Sequence, residues 1–165
     1  MTGREALLAE VRRYIGKREL LEGGKPTNRS PYIDYWNLEA GVALGSPYCC
    51  SGVTQCGIQA VGRSSWPFKD TALVSALVAD ATRLGRFTRD WQQAQPGDLV
   101  VFYFDTLGRW AHVGVIGAID AAHVTSYDMN TTPTVPTGSP ADRDGAGNFQ
   151  KTRPHGPHVA YLLWP

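Results

Sequence analysis

The chain has little cysteine to spend on cross-links. It has three in 165 residues, all between Cys49 and Cys56, an odd and clustered set that does not read as the disulfide framework of a secreted scaffold. Long apolar runs are missing too. None approaches the ~20 residues a membrane span needs, and the N-terminal stretch MTGREALLAEVRRY carries Arg and Glu with no apolar signal region. The expectation is a soluble protein synthesised in the cytoplasm without a signal peptide and without membrane insertion. An excess of charge is also absent. Sixteen Lys and Arg against fifteen Asp and Glu leave a formal charge of +1, so nothing pulls the chain in bulk toward nucleic acid. No repeat of 20–50 residues is present. The cysteines lack the C-x-x-C spacing of zinc sites, and His155-Gly-Pro-His158 lies in a proline-broken loop. No metal and no cofactor are expected.

What is there suits one folded domain over 1–165. Apolar residues make up 42% and charged residues 19%, which excludes disorder. A domain of about 150 residues buries roughly 70% of its unfolded surface, so it needs no staple. Leu7, Val11, Tyr14 and Ile15 form a helical stripe over 3–17, and EGGKPTNRSP breaks the chain into a loop. Short helices are expected over 32–40, over 49–61 ending at Gly62, and over 70–84 with Asp70 as N-cap and Gly85 as terminator. After the turn Gln95-Pro96-Gly97-Asp98 the character changes to strands: 99–104, 110–119, 123–129, 148–152 and 158–164. Thr131–Gly147, rich in Pro, Gly, Ser and Thr, reads as a long surface loop. Helices first and strands later argue for an α+β fold, with the helices packed on an antiparallel sheet.

Two side chains could carry nucleophilic chemistry. A helix beginning at residue 49 presents Cys49, Val53, Cys56, Gly57 and Ala60 on one face, with Cys49 at the N-terminus, where the helix dipole favours thiolate. The plain alternative is a small buried hydrophobe. In RWAHVGVIGAID, alternation places His112, Gly114 and Ile116 on one strand face, where His112 is either a satisfied core histidine or a base. If 110–118 and 122–130 form a hairpin with an odd-length loop, residues summing to 240 oppose one another. His112 then meets Asp128, and Asn130 shares that face; an even-length loop puts Met129 there instead. A carboxylate beside a histidine orients the ring and stabilises imidazolium. Asp128 could equally be a solvated strand end and Asn130 a turn residue. Trp36, Trp66 and Trp110 could line a groove or belong to the core.

Together these residues resemble a known family. NRSPYIDYW followed by SPYCCSGVTQCGIQAVG is similar to the CHAP domain family of cysteine, histidine-dependent amidohydrolases and peptidases, whose Pro-Trp-Cys-Ala stretch reads Pro47-Tyr48-Cys49-Cys50 here. QPGDLVVF resembles the family's Pro-Gly-Asp turn, AHVGVI its histidine strand, and Asp128-Met129-Asn130-Thr131 its Glu-Gly-Asn-Thr. RDGAGNFQKTR resembles the tail that follows in one branch. The match covers about 28–153. It implies a papain-like fold with Cys49, His112, Asp128 and Asn130 as catalytic residues, and a peptidoglycan substrate cleaved at amide bonds. It also implies N-acetylmuramoyl-L-alanine amidase or crosslink endopeptidase activity of the phage endolysin kind, acting on the cell wall after release, with a monomer expected. The paired-Asp calcium loop of some relatives has no counterpart near 22–34, and no wall-binding repeat fits in the chain. Two other readings stay open. One is an NlpC-type peptidase using Cys50-Ser51-Gly52, with Cys50 as nucleophile. The other is a catalytically inactive wall-binding module.

Overall fold

A computed structural model describes every residue, Met1–Pro165. The first helix, α1 (Gly3–Arg12), opens with a reciprocal capping box between Thr2 and Glu5 and buries Leu7 and Val11. It stops short of the expected residue 17 because the chain turns away through Gly16, at φ +86°. The polar loop that follows holds a small hairpin, β1 (Leu21–Glu22) and β2 (Lys25–Pro26). Then come α2 (Pro31–Glu39), capped by Ser30, and α3 (Cys49–Val61), ended by Gly62.

The next helix, α4 (Val74–Arg83), starts later than the sequence suggests, and Asp70 is not its cap. Asp70 instead accepts a hydrogen bond from Gln55 on α3 and pairs with Arg63. That pull keeps 70–73 outside the helix, where the Thr71 carbonyl accepts from both Cys50 (3.3 Å) and Thr54 (3.2 Å).

The strands are β3 (Phe87–Thr88), β4 (Leu99–Phe104), β5 (Arg109–Ile119), β6 (His123–Thr131), β7 (Gly147–Pro154) and β8 (Val159–Leu162). They form one sheet in the order β3-β8-β4-β5-β6-β7, antiparallel throughout. The architecture is thus α+β and papain-like, as expected. The segment 131–147 is not a plain surface loop. It contains a one-turn helix, α5 (Pro140–Arg143), and buries Asp142.

Period-two alternation divides the sheet's side chains between two cores. Val101, Val113, Val115 and Leu162 join Leu7, Val53 and Leu77 on the helical side. Val100, Phe102, Ile116 and Tyr161 pack on the other. Trp36 and Trp66 lie in the helical core rather than in a groove. No helix is long and apolar enough to cross a membrane.

The helix α3 comes this close to its surroundings because its inward residues are small. A Cβ on Gly57 would lie 2.0 Å from the Trp66 ring, and one on Gly52 would lie 3.0 Å from Met129. Alanine is the better helix former, but here its methyl has no room. Gly57→Ala is therefore expected to lower stability by about 1–3 kcal/mol, read as a fall in the urea midpoint. A rise in the midpoint would mean that Trp66 moves aside freely.

Candidate active site

Cys49 is the first residue of α3, and no side chain caps that helix start. Its thiol points at β5, 3.9 Å from the Ala111 carbonyl, and it is 6% exposed, lining a cleft of about 260 Å³. Cys50, one position on and rotated by about 100°, turns to Thr71 and is wholly buried. Burial and the neighbouring Cys49 push the Cys50 thiol well up. Burial does the same to Cys56. The lip of the cleft is fixed by Asn37, which donates to the Ser46 carbonyl (3.0 Å) and accepts from Ser51 (2.7 Å).

His112 comes from the middle of β5. Val113 and Val115 turn toward the helices, while the imidazole turns the other way, beside Phe102 at 5.9 Å between ring centroids. The hairpin that brings Asp128 to it is not the one expected. The Asp120 carboxylate accepts from the amides of Ala122 and His123, and the strands leave this turn paired Ile119↔Val124 and Ala118↔Thr125. These pairs sum to 243, the parity that would have separated the two side chains. A bulge at Gly117 then shifts the register to Gly114↔Asp128, summing to 242.

Asp128 thus opposes Gly114 and reaches His112 on the diagonal, Oδ2 to Nε2, at 2.9 Å. Gly114 makes this possible, since a Cβ there would stand 2.2 Å from Asp128 Oδ1. The other ring nitrogen, Nδ1, is buried with no hydrogen-bond partner, and Cys49 stands against the same ring. Burial works against a charged ring, but the hydrogen bond to Asp128 and the presence of Cys49 outweigh it. The His112 pKa is pushed up to about 9.

The residue that sequence reading missed is Arg153, on β7. Its guanidinium, fully buried, meets Asp128 Oδ2 at 2.7 Å and Asp142 Oδ1 at 2.7 Å, and lies over the Phe102 ring at 4.3 Å. Ser126 donates to Asp128 Oδ1 at 2.6 Å and accepts from Arg153 at 3.3 Å. Lys151 closes the network on Asp142. Burial alone would raise the Asp128 carboxyl, but Arg153 and His112 hold it well below the usual range. Since it is ionised, Nε2 of His112 must be the donor, which leaves Nδ1 as the nitrogen free to exchange a proton.

Asn130 does not join this group. The ladder is interrupted again between Asp128 and Thr131, and Asn130 sits at φ +57°. That left-handed twist aims its amide away from the ring, where it donates to Asp144 (3.4 Å) and accepts from the Gly145 amide (3.2 Å). Asn130 thus clamps the segment after α5. His155 and His158 are occupied elsewhere, with Tyr161 and Asp105.

No family model matches the chain, and no curated protein matches it. Solved structures do. The crystal structure of Ly7917 superimposes on 100% of this chain with a TM-score of 0.54 at 14% sequence identity. The structure of Ly7917 with the hydrolyzing product of MDP covers 98% with a TM-score of 0.50, again at 14% identity. This chain spans 63% of the neighbour's length in the first comparison and 62% in the second. At that identity the likeness is one of fold.

The ion network predicts its own weakness. Arg153→Met removes the one cation that Asp128 and Asp142 share, leaving buried negative charge under-compensated. The expected loss is about 3–5 kcal/mol of stability, measured by urea denaturation. A loss below about 1 kcal/mol, the level of a surface pair, would mean that water replaces the guanidinium.

Proposed function

We propose that the chain is a peptidoglycan hydrolase that cleaves an amide bond by acyl transfer through Cys49. The observation that carries this reading is the division of one imidazole between two partners: Nε2 is held by Asp128, and Nδ1 is unpaired with Cys49 beside it. His112 takes the thiol proton, and the thiolate attacks the amide carbonyl. The imidazolium then protonates the departing amine as the C–N bond breaks. Water, deprotonated by His112, hydrolyses the thioester and restores the thiol. The Cys49 amide, at a helix start that no side chain caps, is the oxyanion donor.

The substrate follows from the resemblance and from the fold neighbour. That neighbour was crystallised with the hydrolyzing product of MDP, which is muramyl dipeptide, a fragment of the bacterial wall. Amidase or endopeptidase action of the lysin kind is the finer reading. Digestion of purified peptidoglycan separates the two: new alanine amines with cross-links intact mean amidase, and broken cross-links mean endopeptidase. Cys49→Ala should abolish cleavage while Cys50→Ala retains most of it. The reverse result would favour the NlpC-type reading, which has less support because the Cys50 thiol faces Thr71. Wall binding without cleavage by the unmodified chain would favour a binding module.

The pH dependence follows from His112. A pKa raised to about 9 means that the ring takes up and holds a proton at neutral pH, with the Asp128 carboxylate balancing the charge. The working form is then lost as pH rises through about 9, and so is the ring's contribution to stability, which is complete below the ordinary value of about 6.5. The alkaline limb of kcat/KM should lie near pH 9. Asp128→Asn, which removes the raising charge, should move it down toward about 6.5 and lower turnover. Asn130→Ala should leave the limb in place. If Asn130→Ala moves it and Asp128→Asn does not, the orienting role belongs to Asn130.

A further inference from the structure

The cleft onto which Cys49 opens has an unbalanced lining. Arg109, at the start of β5, and Arg143, at the end of α5, both line it, and no acidic residue does. Neither guanidinium has a hydrogen-bond or ion-pair partner, although carboxylates are near in sequence to both. Each of those is committed elsewhere. Asp105 pairs with His158, Asp142 holds Arg153 and Lys151, and Asp144 accepts from Asn28 and Asn130. Arg109 is exposed and Arg143 half-buried, so both charges remain hydrated and available.

The placement of Arg143 is built into the fold. The helix α5 has only one turn and would not hold itself. Asp142 anchors it through the buried pair with Arg153, and the Asp142 carbonyl accepts from Thr131 at 2.8 Å. Arg143, the next residue, is thereby carried to the wall of the cleft that Cys49 also lines. Apart from Ser46 and Cys49 itself, the remaining wall is apolar, with Val42, Leu73 and Val74. Two unpaired guanidiniums over an apolar wall suit an extended peptide that bears an anionic group, and guanidinium matches carboxylate in a two-pronged geometry.

We infer that Arg109 and Arg143 form a carboxylate-recognition subsite that selects acyl donors carrying a free carboxylate close to the scissile amide. This rests on the reading of Cys49 as nucleophile. In peptidoglycan terms, the preferred stem peptide has its side carboxylates free rather than amidated.

Two measurements test it, and only the second depends on hydrolysis. The first compares alkylation of Cys49 by iodoacetate and by iodoacetamide, reactions in which the thiolate forms a C–S bond and iodide leaves. The unmodified protein should favour the anionic reagent. The iodoacetate-to-iodoacetamide rate ratio should fall about three- to tenfold in Arg109→Gln/Arg143→Gln, and Arg109→Lys/Arg143→Lys should keep most of it. An unchanged ratio in the double Gln variant overturns the subsite. If the thiol reacts with neither reagent, titration with glutarate reads the same site, followed by the arginine Nε–H resonances. Shifts at Arg109 and Arg143 support the subsite, and their absence overturns it. The second measurement compares kcat/KM for muropeptides with free and with amidated stem carboxylates. A preference of about tenfold for the free acid that vanishes in the double Gln variant is expected. Equal rates in the unmodified protein overturn the selectivity. If no muropeptide of either kind is cleaved, the hydrolase reading fails while the alkylation result still decides the subsite.

Discussion

A carboxylate with no access to water sits at the centre of this structure. Asp128 is fully buried and ionised, and an ion in that position costs several kcal/mol unless its oxygens are filled. Much of the surrounding sequence follows from filling them. His112 and Arg153 both meet Oδ2, and Ser126 donates to Oδ1. Arg153 is itself a buried cation with nitrogens to spare, and Asp142 takes them. Asp142 then engages Lys151. Three strands and the α5 turn are tied together through six side chains, and the formal charges of the two acids and two bases cancel before His112 is counted.

The backbone had to accommodate that arrangement as much as the side chains did. Asp is shorter than the Glu that stands at this point in the family the sequence resembles. It reaches the imidazole because it crosses the sheet over Gly114, where no Cβ obstructs it. The bulge at Gly117 brings Asp128 to that position. Short acid, bare glycine and bulge are therefore one solution to a single distance, and altering one of them displaces the other two.

Much of this was legible in the sequence, and the failures have particular causes. Apolar periodicity located α1 to α4 and the main strands, because it reads burial directly. With α3 beginning at Cys49, the separate orientation of Cys50 followed from helical phase. The hairpin was harder. Parity counted from the turn gives the wrong answer here, because the loop has even length and the bulge reverses its effect. The glycine in VIGAI was the available signal, since glycine inside a strand often marks a bulge. In the same way, Lys151 and Arg153 alternate along β7 on a face that proves to be buried. Two bases at inward positions demand acids, and Asp142 was hidden in a stretch whose Pro, Gly and Ser content reads as loop. Composition describes the average residue of such a segment; the fold depended on one exception.

That exception explains why His112 and the cleft wall are linked in this fold. The Arg153 guanidinium holds, with one nitrogen, the acid that orients His112 and also the acid that anchors α5. His112 and one wall of the cleft are therefore positioned through the same group. Loosening α5 withdraws charge compensation from Asp128, and disturbing Asp128 loosens α5. A one-turn helix is a poor scaffold on its own, but it becomes a reliable one when its departure would strand a buried ion. The placement of the cleft wall thus rests on a buried ion network inside the sheet.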